Sequence, residues 1–342
     1  MKDNRNILVT GGAGFIGSHT VVELINKGFN PVIVDDFRNS DTKVLKGINA
    51  IVGQDPIMRF VDVTNKEQLK AVFEEFSFSG IIHFAAYKAV GESVAKPLAY
   101  YRNNIDGLLN CLELAEEFKV LNFVFSSSCT VYGEPKGTKI VTELSETQEA
   151  NSPYGATKQM CERIISDVHK SGSNLRMLNL RYFNPVGAHP SGNIGELPIG
   201  RPNNLIPYIT QTAAGLLNEL TVYGNDYNTN DGTCVRDYIH VVDLAEAHIK
   251  GYEWLNNLSE PRTETINVGT GNGTSVLEII HTFEKVSNQS LNWKFGPRRE
   301  GDVEEIFADT SKAQELIGWN ADRTIEDAIA DAWNWEKKRR DE

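Results

Sequence analysis

Tyr154 and Lys158 stand four residues apart in the run Tyr154-Gly155-Ala156-Thr157-Lys158. That spacing puts both side chains on one face of a helix. An ammonium beside a phenol favours the phenolate, so the Tyr154 pKa is expected below its ordinary value of about 10. A phenol tuned in this way exchanges protons with a sugar or alcohol hydroxyl. Upstream, Gly12-Ala13-Gly14-Phe15-Ile16-Gly17 fits G-x-G-x-x-G, and Gly11, Gly14 and Gly17 recur every third residue. Glycines there let backbone approach a pyrophosphate, which rests on the N-terminus of the next helix. A proton-transfer site served by a hydride carrier is the chemistry these residue types offer.

The elements that must position them follow a repeating pattern. The apolar run 7–10 reads as a buried strand, 18–27 as a helix ended by Gly28, and 31–35 as a second strand. Helices are expected near 66–76 and 101–117, and strands at 80–84, 122–126 and 175–180. Pro153 suits the first turn of the helix that carries Tyr154 and Lys158. Strands alternating with helices imply an α/β fold, a doubly wound parallel Rossmann sheet. After Asn184 the texture changes: 185–207 is rich in Gly, Pro and Asn. We read a dinucleotide-binding domain at 1–183 and a smaller, mixed C-terminal substrate lobe at 184–342. Residues 236–260 are expected to return to the first domain, through a strand at 235–242 and a helix at 245–252.

Asp35 lies eighteen residues beyond Gly17, at the end of the second predicted strand. An acid at that position binds ribose hydroxyls and repels a 2′-phosphate, which favours NAD over NADP; Arg38 tempers this slightly. Asp62-Val63 follows the strand-like Arg59-Phe60-Val61, where an acid meets an adenine ring or caps a helix. His83-Phe84-Ala85-Ala86 ends a strand with small side chains, and Ser126-Ser127-Ser128 ends another with hydroxyls that can bind a substrate oxygen or cap a turn.

Composition narrows the class. The 342 residues carry a formal net charge of −12, which argues against a nucleic-acid surface or a polybasic membrane patch. An anionic substrate then needs a local arginine pocket. Cys111, Cys129, Cys161 and Cys234 form no CxxC pair, and no HExxH occurs, so neither a metal site nor a disulfide framework is expected. No basic and apolar leader precedes Ile7 and no apolar run approaches ~18 residues, so a cytoplasmic protein without a membrane span is expected. The G-x-S-x-G elbow of Ser-His-Asp hydrolases is missing.

Longer runs sharpen this. Thr10 to His19, Lys88-Ala89-Val90-Gly91-Glu92-Ser93, Ser152-Pro153-Tyr154-Gly155, Arg181-Tyr182-Phe183-Asn184-Pro185-Val186-Gly187-Ala188-His189-Pro190, Val235-Arg236-Asp237-Tyr238-Ile239-His240 and Pro297-Arg298-Arg299-Glu300-Gly301-Asp302 together resemble the extended short-chain dehydrogenase/reductase family, and within it the UDP-hexose 4-epimerases. The Tyr-Lys pair marks only the superfamily; the runs that begin at Arg181 and at Pro297 are far more specific.

The resemblance implies a redox-neutral inversion at C4 of a UDP-hexose, with Tyr154 as base, Lys158 as its partner and Ser128 on the reacting oxygen. It implies NAD contacts at Gly11, Gly14, Phe15, Ile16, Gly17, Asp35, Asp36, Asn39, Ser40, Asp62, Val63, Phe84, Ala85, Lys88, Asn103, Tyr154, Lys158 and Phe183. It implies nucleotide-sugar contacts at Ser128, Tyr154, Asn184, Asn204, Leu205, Arg236, Arg299 and Asp302, and a homodimer formed through helices of the first domain. Three positions depart from the family pattern. Asp36 replaces a frequent Asn, Cys129 replaces Ala or Thr, and Ile306 stands where a bulky Tyr goes with plain hexoses and a small residue with N-acetylhexosamines. A nucleotide-sugar 4,6-dehydratase needs an acid and a base beside the active-site hydroxyl, and Ser128 is followed instead by Cys129 and Thr130. A non-catalytic dinucleotide sensor has no use for the Tyr-Lys pair.

Overall fold

The structure is a computed structural model that describes residues 5–135, 138–299 and 302–341. Its first half runs β1 (Asn6–Thr10), α1 (Phe15–Asn26), β2 (Asn30–Asp35), α2 (Lys43–Val52), β3 (Ile57–Phe60), α3 (Lys66–Glu75), β4 (Gly80–His83), α4 (Val90–Ala95), α5 (Pro97–Glu117), β5 (Asn122–Ser126), β6 (Ile140–Val141), α6 (Pro153–Lys170) and β7 (Arg176–Tyr182). The second half adds β8 (Asn184–Val186), α7 (Leu205–Ala213), β9 (Leu220–Tyr223), β10 (Val235–Arg236), β11 (Tyr238–His240), α8 (Val241–Asn256), β12 (Thr263–Val268), β13 (Thr274–Ser275), α9 (Val276–Ser287), β14 (Trp293–Gly296), β15 (Glu305–Ala308), α10 (Ser311–Ile317) and α11 (Ile325–Asp341).

The main sheet has seven strands in the order β12-β7-β5-β4-β1-β2-β3. Every pairing in it is parallel. Period-2 alternation sends neighbouring side chains to opposite faces. Ile7, Val9, Ile33, Ile82 and Ile266 pack under α1, α2 and α8 through Val21, Ile48 and Leu244. Leu8, Val32, Ile81, Phe123 and Met177 pack on the other face against Leu69, Leu108 and Ile165 from α3, α5 and α6. The strand order turns back between β1 and β4, so a crevice opens beyond their carboxyl ends, where such sheets bind ligands.

Elements absent from the sequence reading complete this layer, among them α2, α4 and, from the second half of the chain, β12. Others differ at their ends. The expected helix 101–117 begins at Pro97, because Pro97 occupies its first turn, and α1 begins three residues before the expected 18. The expected strand 235–242 is two short strands in two different sheets, β10 beside β15 and β11 beside β8. Asp237 causes the break. Its carboxylate is fully buried and accepts Thr270 N and Thr270 Oγ1 at 2.8 Å, and Gly271 N and Ala308 N at 3.1 Å.

The rest of the second half forms its own core. Val186, Ile206, Val222, Ile279, Phe283 and Trp333 pack together, with Phe283 edge-on to Trp333 at 5.5 Å. A mixed sheet in the order β13-β10-β15-β6 borders the crevice. Among the described residues no helix is long and apolar enough to cross a membrane, and no cluster of three His, Cys, Asp or Glu suits a metal.

Candidate active site

The glycine loop sits at the switch point. Gly11 takes φ = 69°, and a Cβ there would lie 2.7 Å from Ala85 N. A Cβ on Gly17 would lie 2.2 Å from the Gly11 carbonyl oxygen. Both contacts are impossible for a side chain, so the loop closes tightly onto the end of β4. Gly14 caps α1 without a side-chain bond, which leaves first-turn N–H groups as donors for a pyrophosphate. Phe15 and Ile16 form that turn. These residues fit a dinucleotide: the cradle exists only because the Cβ atoms are missing.

Asp35 fastens the loop. Its Oδ2 accepts Ala13 N at 3.0 Å, and its Oδ1 accepts Phe37 N at 2.9 Å and Ser40 Oγ at 3.0 Å. Burial pushes its carboxyl upward against those three bonds. Asn39 lies exposed in the same turn. Asp62 does not cap α3; Asn65 does, accepting Gln68 N at 3.0 Å. The Asp62 carboxylate turns to Thr64 N at 2.9 Å and to Arg38. Burial raises its pKa, but the bonds from Thr64 and Arg38 outweigh that and hold it below the usual range. Val63 is buried, with its Cγ2 only 2.9 Å from where a Cβ on Gly107 would stand.

Tyr154, Lys158 and Ser128 are all buried, with 7%, 3% and 6% of their surface exposed. Ser152 caps α6, its hydroxyl accepting Gly155 N at 3.2 Å, and Pro153 fills the first turn as expected. Ser128 caps the short 3₁₀ turn after β5, accepting Thr130 N at 3.2 Å. Its O–H hydrogen is then directed elsewhere, and the Tyr154 phenol lies near enough for Ser128 to lower its pKa.

The electrostatics differ from the sequence expectation. Burial pushes the Tyr154 phenol well above its usual range, the nearby Tyr182 adds to that, and the Ser128 hydrogen bond works the other way. Lys158 does not reverse this. Its Nζ is 5.9 Å from the centre of the Tyr154 ring, donates to the Ser126 carbonyl at 2.6 Å, and lies 4.8 Å over the Phe125 ring. Burial brings Lys158 itself down to about 8, against the nearby Cys161 and Glu162. Burial holds Cys129 at about 12, a thiol at neutral pH.

A polar tier that sequence reasoning missed holds these groups. Asn104 on α5 donates to Thr157 Oγ1 at 3.0 Å and to Tyr87 O at 3.1 Å, and Thr157 donates to Tyr154 O at 2.7 Å. The neighbouring Asn103 donates to Asn104 Oδ1 at 3.0 Å. Glu162 accepts Ser127 Oγ at 2.6 Å and a bidentate pair from Arg181. Tyr182 and Ser126 share a hydrogen bond of 2.7 Å. Arg181 and Tyr182 stood in the longest diagnostic run, and Glu162 follows Lys158 by four, so those positions carried a signal. Phe84 packs on His248 with ring centres 4.6 Å apart.

The other candidates line the far side of the crevice. Phe183 and Ile306 share one small buried cluster with Tyr132 and Val141. Asn184 N donates to the Asp237 carbonyl at 2.9 Å. Arg236 lies 3.8 Å from Asp302 and donates to Val235 O at 2.9 Å. Arg299 is exposed, with its guanidinium 4.6 Å over the Tyr223 ring. Glu300 and Gly301, in the middle of that diagnostic run, lie outside the described residues, as does Glu342 of the C-terminal tail. Asn204 precedes Leu205 at the start of α7. One oxygen of Glu196, a residue with no sequence signal, takes both Lys88 Nζ at 3.2 Å and Asn204 Nδ2 at 2.6 Å. Candidates from the two sides of the crevice thus meet on one carboxylate.

A glycine loop at a switch point, facing a buried Tyr-Ser pair across a doubly wound sheet, is the layout of a short-chain dehydrogenase/reductase. The chain matches the family model described as GDP-mannose 4,6 dehydratase over residues 8–332. It is 49% identical over 330 residues to the UDP-glucose 4-epimerase of Bacillus subtilis, with 96% of each chain covered. It is similar to the crystal structure of UDP-glucose 4-epimerase from Stenotrophomonas maltophila with bound NAD and formylated UDP-arabinopyranose: TM-score 0.95, 45% identity, 98% of this chain and 99% of that one. The Bifidobacterium longum enzyme in complex with NAD+ and UDP gives a TM-score of 0.93 at 44% identity, with 98% and 99% covered. The chain belongs to the extended short-chain dehydrogenase/reductase family, among its UDP-glucose 4-epimerases.

Proposed function

We propose that this chain interconverts UDP-galactose and UDP-glucose by inverting C4 of the hexose through a 4-keto intermediate. The observation that carries this reading is the buried Tyr154 phenol beside Ser128, at the carboxyl edge of a sheet whose glycine loop fits a dinucleotide. Bound NAD supplies a reversible hydride acceptor at C4. The loop from Gly11 to Gly17 and the acids Asp35, Asp36 and Asp62 would hold it, with Lys88, Asn103, Phe84, Ala85 and Phe183 along the cleft.

Tyr154 takes the proton of the C4 hydroxyl and returns it after the sugar has turned over. Ser128 donates to the C4 oxygen, and Lys158 stabilises the Tyr154 phenolate that accepts this proton and forms again when the proton is returned. Arg236 and Arg299 pair with the diphosphate, which lets an acidic protein bind an anionic substrate. Asn184, Asn204, Leu205 and Asp302 complete the nucleotide-sugar lobe, 184–342, against the NAD-binding domain, 1–183. The packing of α8 against α1 supports the return of 236–260 to that domain. The dehydratase in the family model's description has no support at the residues after Ser128: Cys129 and Thr130 carry no carboxylate.

Purified protein, denatured and extracted, should release NAD without any having been added, because a redox-neutral cycle returns the cofactor to its starting state. A requirement for stoichiometric external NAD per turnover counts against the proposal. UDP-galactose should be converted to UDP-glucose in a coupled assay. Conversion of a UDP-N-acetylhexosamine alone moves the reading to the acetamido sugars, which Ile306, intermediate in size, leaves open. We also propose a cytoplasmic homodimer. Leu98, Leu109 and Met160 on α5 and α6 are 82%, 37% and 44% exposed, an apolar surface that a second copy would cover.

A further inference from the structure

Arg38 has no part in the chemistry above, yet three loops converge on it. It follows Phe37, whose φ of 56° is rare for a bulky side chain. Asp35 accepts the Phe37 N–H, and Phe37 stacks on Phe60 with ring centres 6.2 Å apart, so the turn is held from both sides. The turn aims the guanidinium across the carboxyl ends of β2, β3 and β4. Its Nε is 2.6 Å from Asp36 Oδ2, its Nη2 bonds Asp62 Oδ2, and its Nη1 donates to the Tyr87 hydroxyl at 2.7 Å. Asp36 Oδ1 also accepts the Arg38 backbone N–H at 3.0 Å.

The Nε–Nη2 edge is the fork with which arginine grips a phosphate through two parallel N–H bonds. Here two separate carboxylates divide it. The side chains of Arg38, Asp36 and Asp62 keep 40%, 21% and 29% of their surface, so the cluster faces water and the cleft. Asp35, whose position favours ribose hydroxyls, lies next to it.

We propose that Arg38 is a latent 2′-phosphate site, kept occupied by Asp36 and Asp62, and that this occupation makes the chain select the unphosphorylated dinucleotide. The inference rests on the NAD reading of the same cleft. Three carboxylates and one guanidinium leave two net negative charges where a 2′-phosphate would bring between about 1.5 and 2 more. Asn at 36 keeps an oxygen for the Arg38 backbone N–H but can turn its NH2 toward Nε, which releases that edge. Asn at 62 keeps its oxygen for Thr64.

The test is the composition of the dinucleotide extracted from purified protein, separated by chromatography into NAD and NADP. Removing one carboxylate charge about 6 Å from a doubly charged phosphate in water-like screening is worth about tenfold in the ratio. Asp36→Asn should therefore raise NADP:NAD about tenfold over wild type, and Asp36→Asn/Asp62→Asn about a hundredfold. Adding Arg38→Ala to the double variant removes one positive charge and should lower the ratio about tenfold from the double variant's value. Asp36→Glu, which keeps the charge, should leave the ratio at the wild-type value. An unchanged ratio in Asp36→Asn overturns the proposal, and that single variant decides alone where the double variant does not fold. A ratio in the double variant that Arg38→Ala leaves unchanged also overturns it. Wild-type protein that yields no dinucleotide at all overturns the NAD reading itself, a result distinct from either.

Discussion

Replacing Tyr154 by Phe should lower kcat for UDP-galactose by about 10²–10⁴-fold while KM moves by less than about threefold, since general acid–base groups contribute about that much and the hydroxyl alone is lost. Extracted NAD content should match wild type. The buried ring keeps its place on α6, where Ser152 caps the first turn and Thr157 ties the backbone to Asn104. The effect is large because the environment is not that of a free phenol. Burial raises the Tyr154 pKa, so the phenol keeps its proton until a charge favours the anion. Lys158, 5.9 Å from the ring centre, is the charge this chain supplies for that. Steady-state kinetics of the variant decide the matter: retained full turnover sinks the assignment of Tyr154 as the base.

Lys158→Met should lower kcat by at least about 10²-fold and yet stabilise the protein. Lys158 falls from 10.5 to about 8 because it is buried, so keeping it protonated at neutral pH costs about 3 kcal/mol. That cost applies in full below the folded-state value of about 8. It is relieved as pH climbs from there to 10.5, because across that interval the unfolded chain still binds the proton and the folded chain does not. Methionine removes the cost, keeps contact with Phe125, and forfeits the charge-assisted hydrogen bond to the Ser126 carbonyl, worth about 1.5 kcal/mol or more. Thermal unfolding at pH 7 should show a gain of a few degrees, which shrinks at pH 10. A variant less stable than wild type at pH 7 refutes the buried-charge account.

Short apolar runs and helical patterning located most of the main sheet and its helices, because β1, β2, β4, β5 and β7 are short segments largely buried on both faces, whereas the edge strand β3 is exposed or half-buried throughout. The exceptions have specific causes. Helix α2 carries Gly47 at its centre, which lowers its helical signal. The glycine is there because a Cβ would lie 2.2 Å from the Asn193 carbonyl oxygen, a contact from a distant loop. Strand β12 begins half-exposed, as Thr263, Glu264 and Thr265, and becomes a strand by pairing with β7. At the site, the Tyr-Lys spacing was legible, but the partner of Lys158 was not. The Ser126 carbonyl comes from the end of β5, and no local pattern around Lys158 announces it. Glu196 shows the same limit: only the fold brings Lys88 and Asn204 to one oxygen.

The position of β12 also bears on how the chain is made. Synthesis from the N-terminus delivers β7 about 80 residues before its outer neighbour. At about 5–20 residues per second, a nearly finished sheet stands on the ribosome with a bare hydrogen-bonding edge for roughly 4–16 s. Unpaired strand edges recruit other chains. Nascent copies on one message are therefore exposed to wrong pairing at β7 in this interval, until β12 arrives, covers β7 and becomes the edge strand itself.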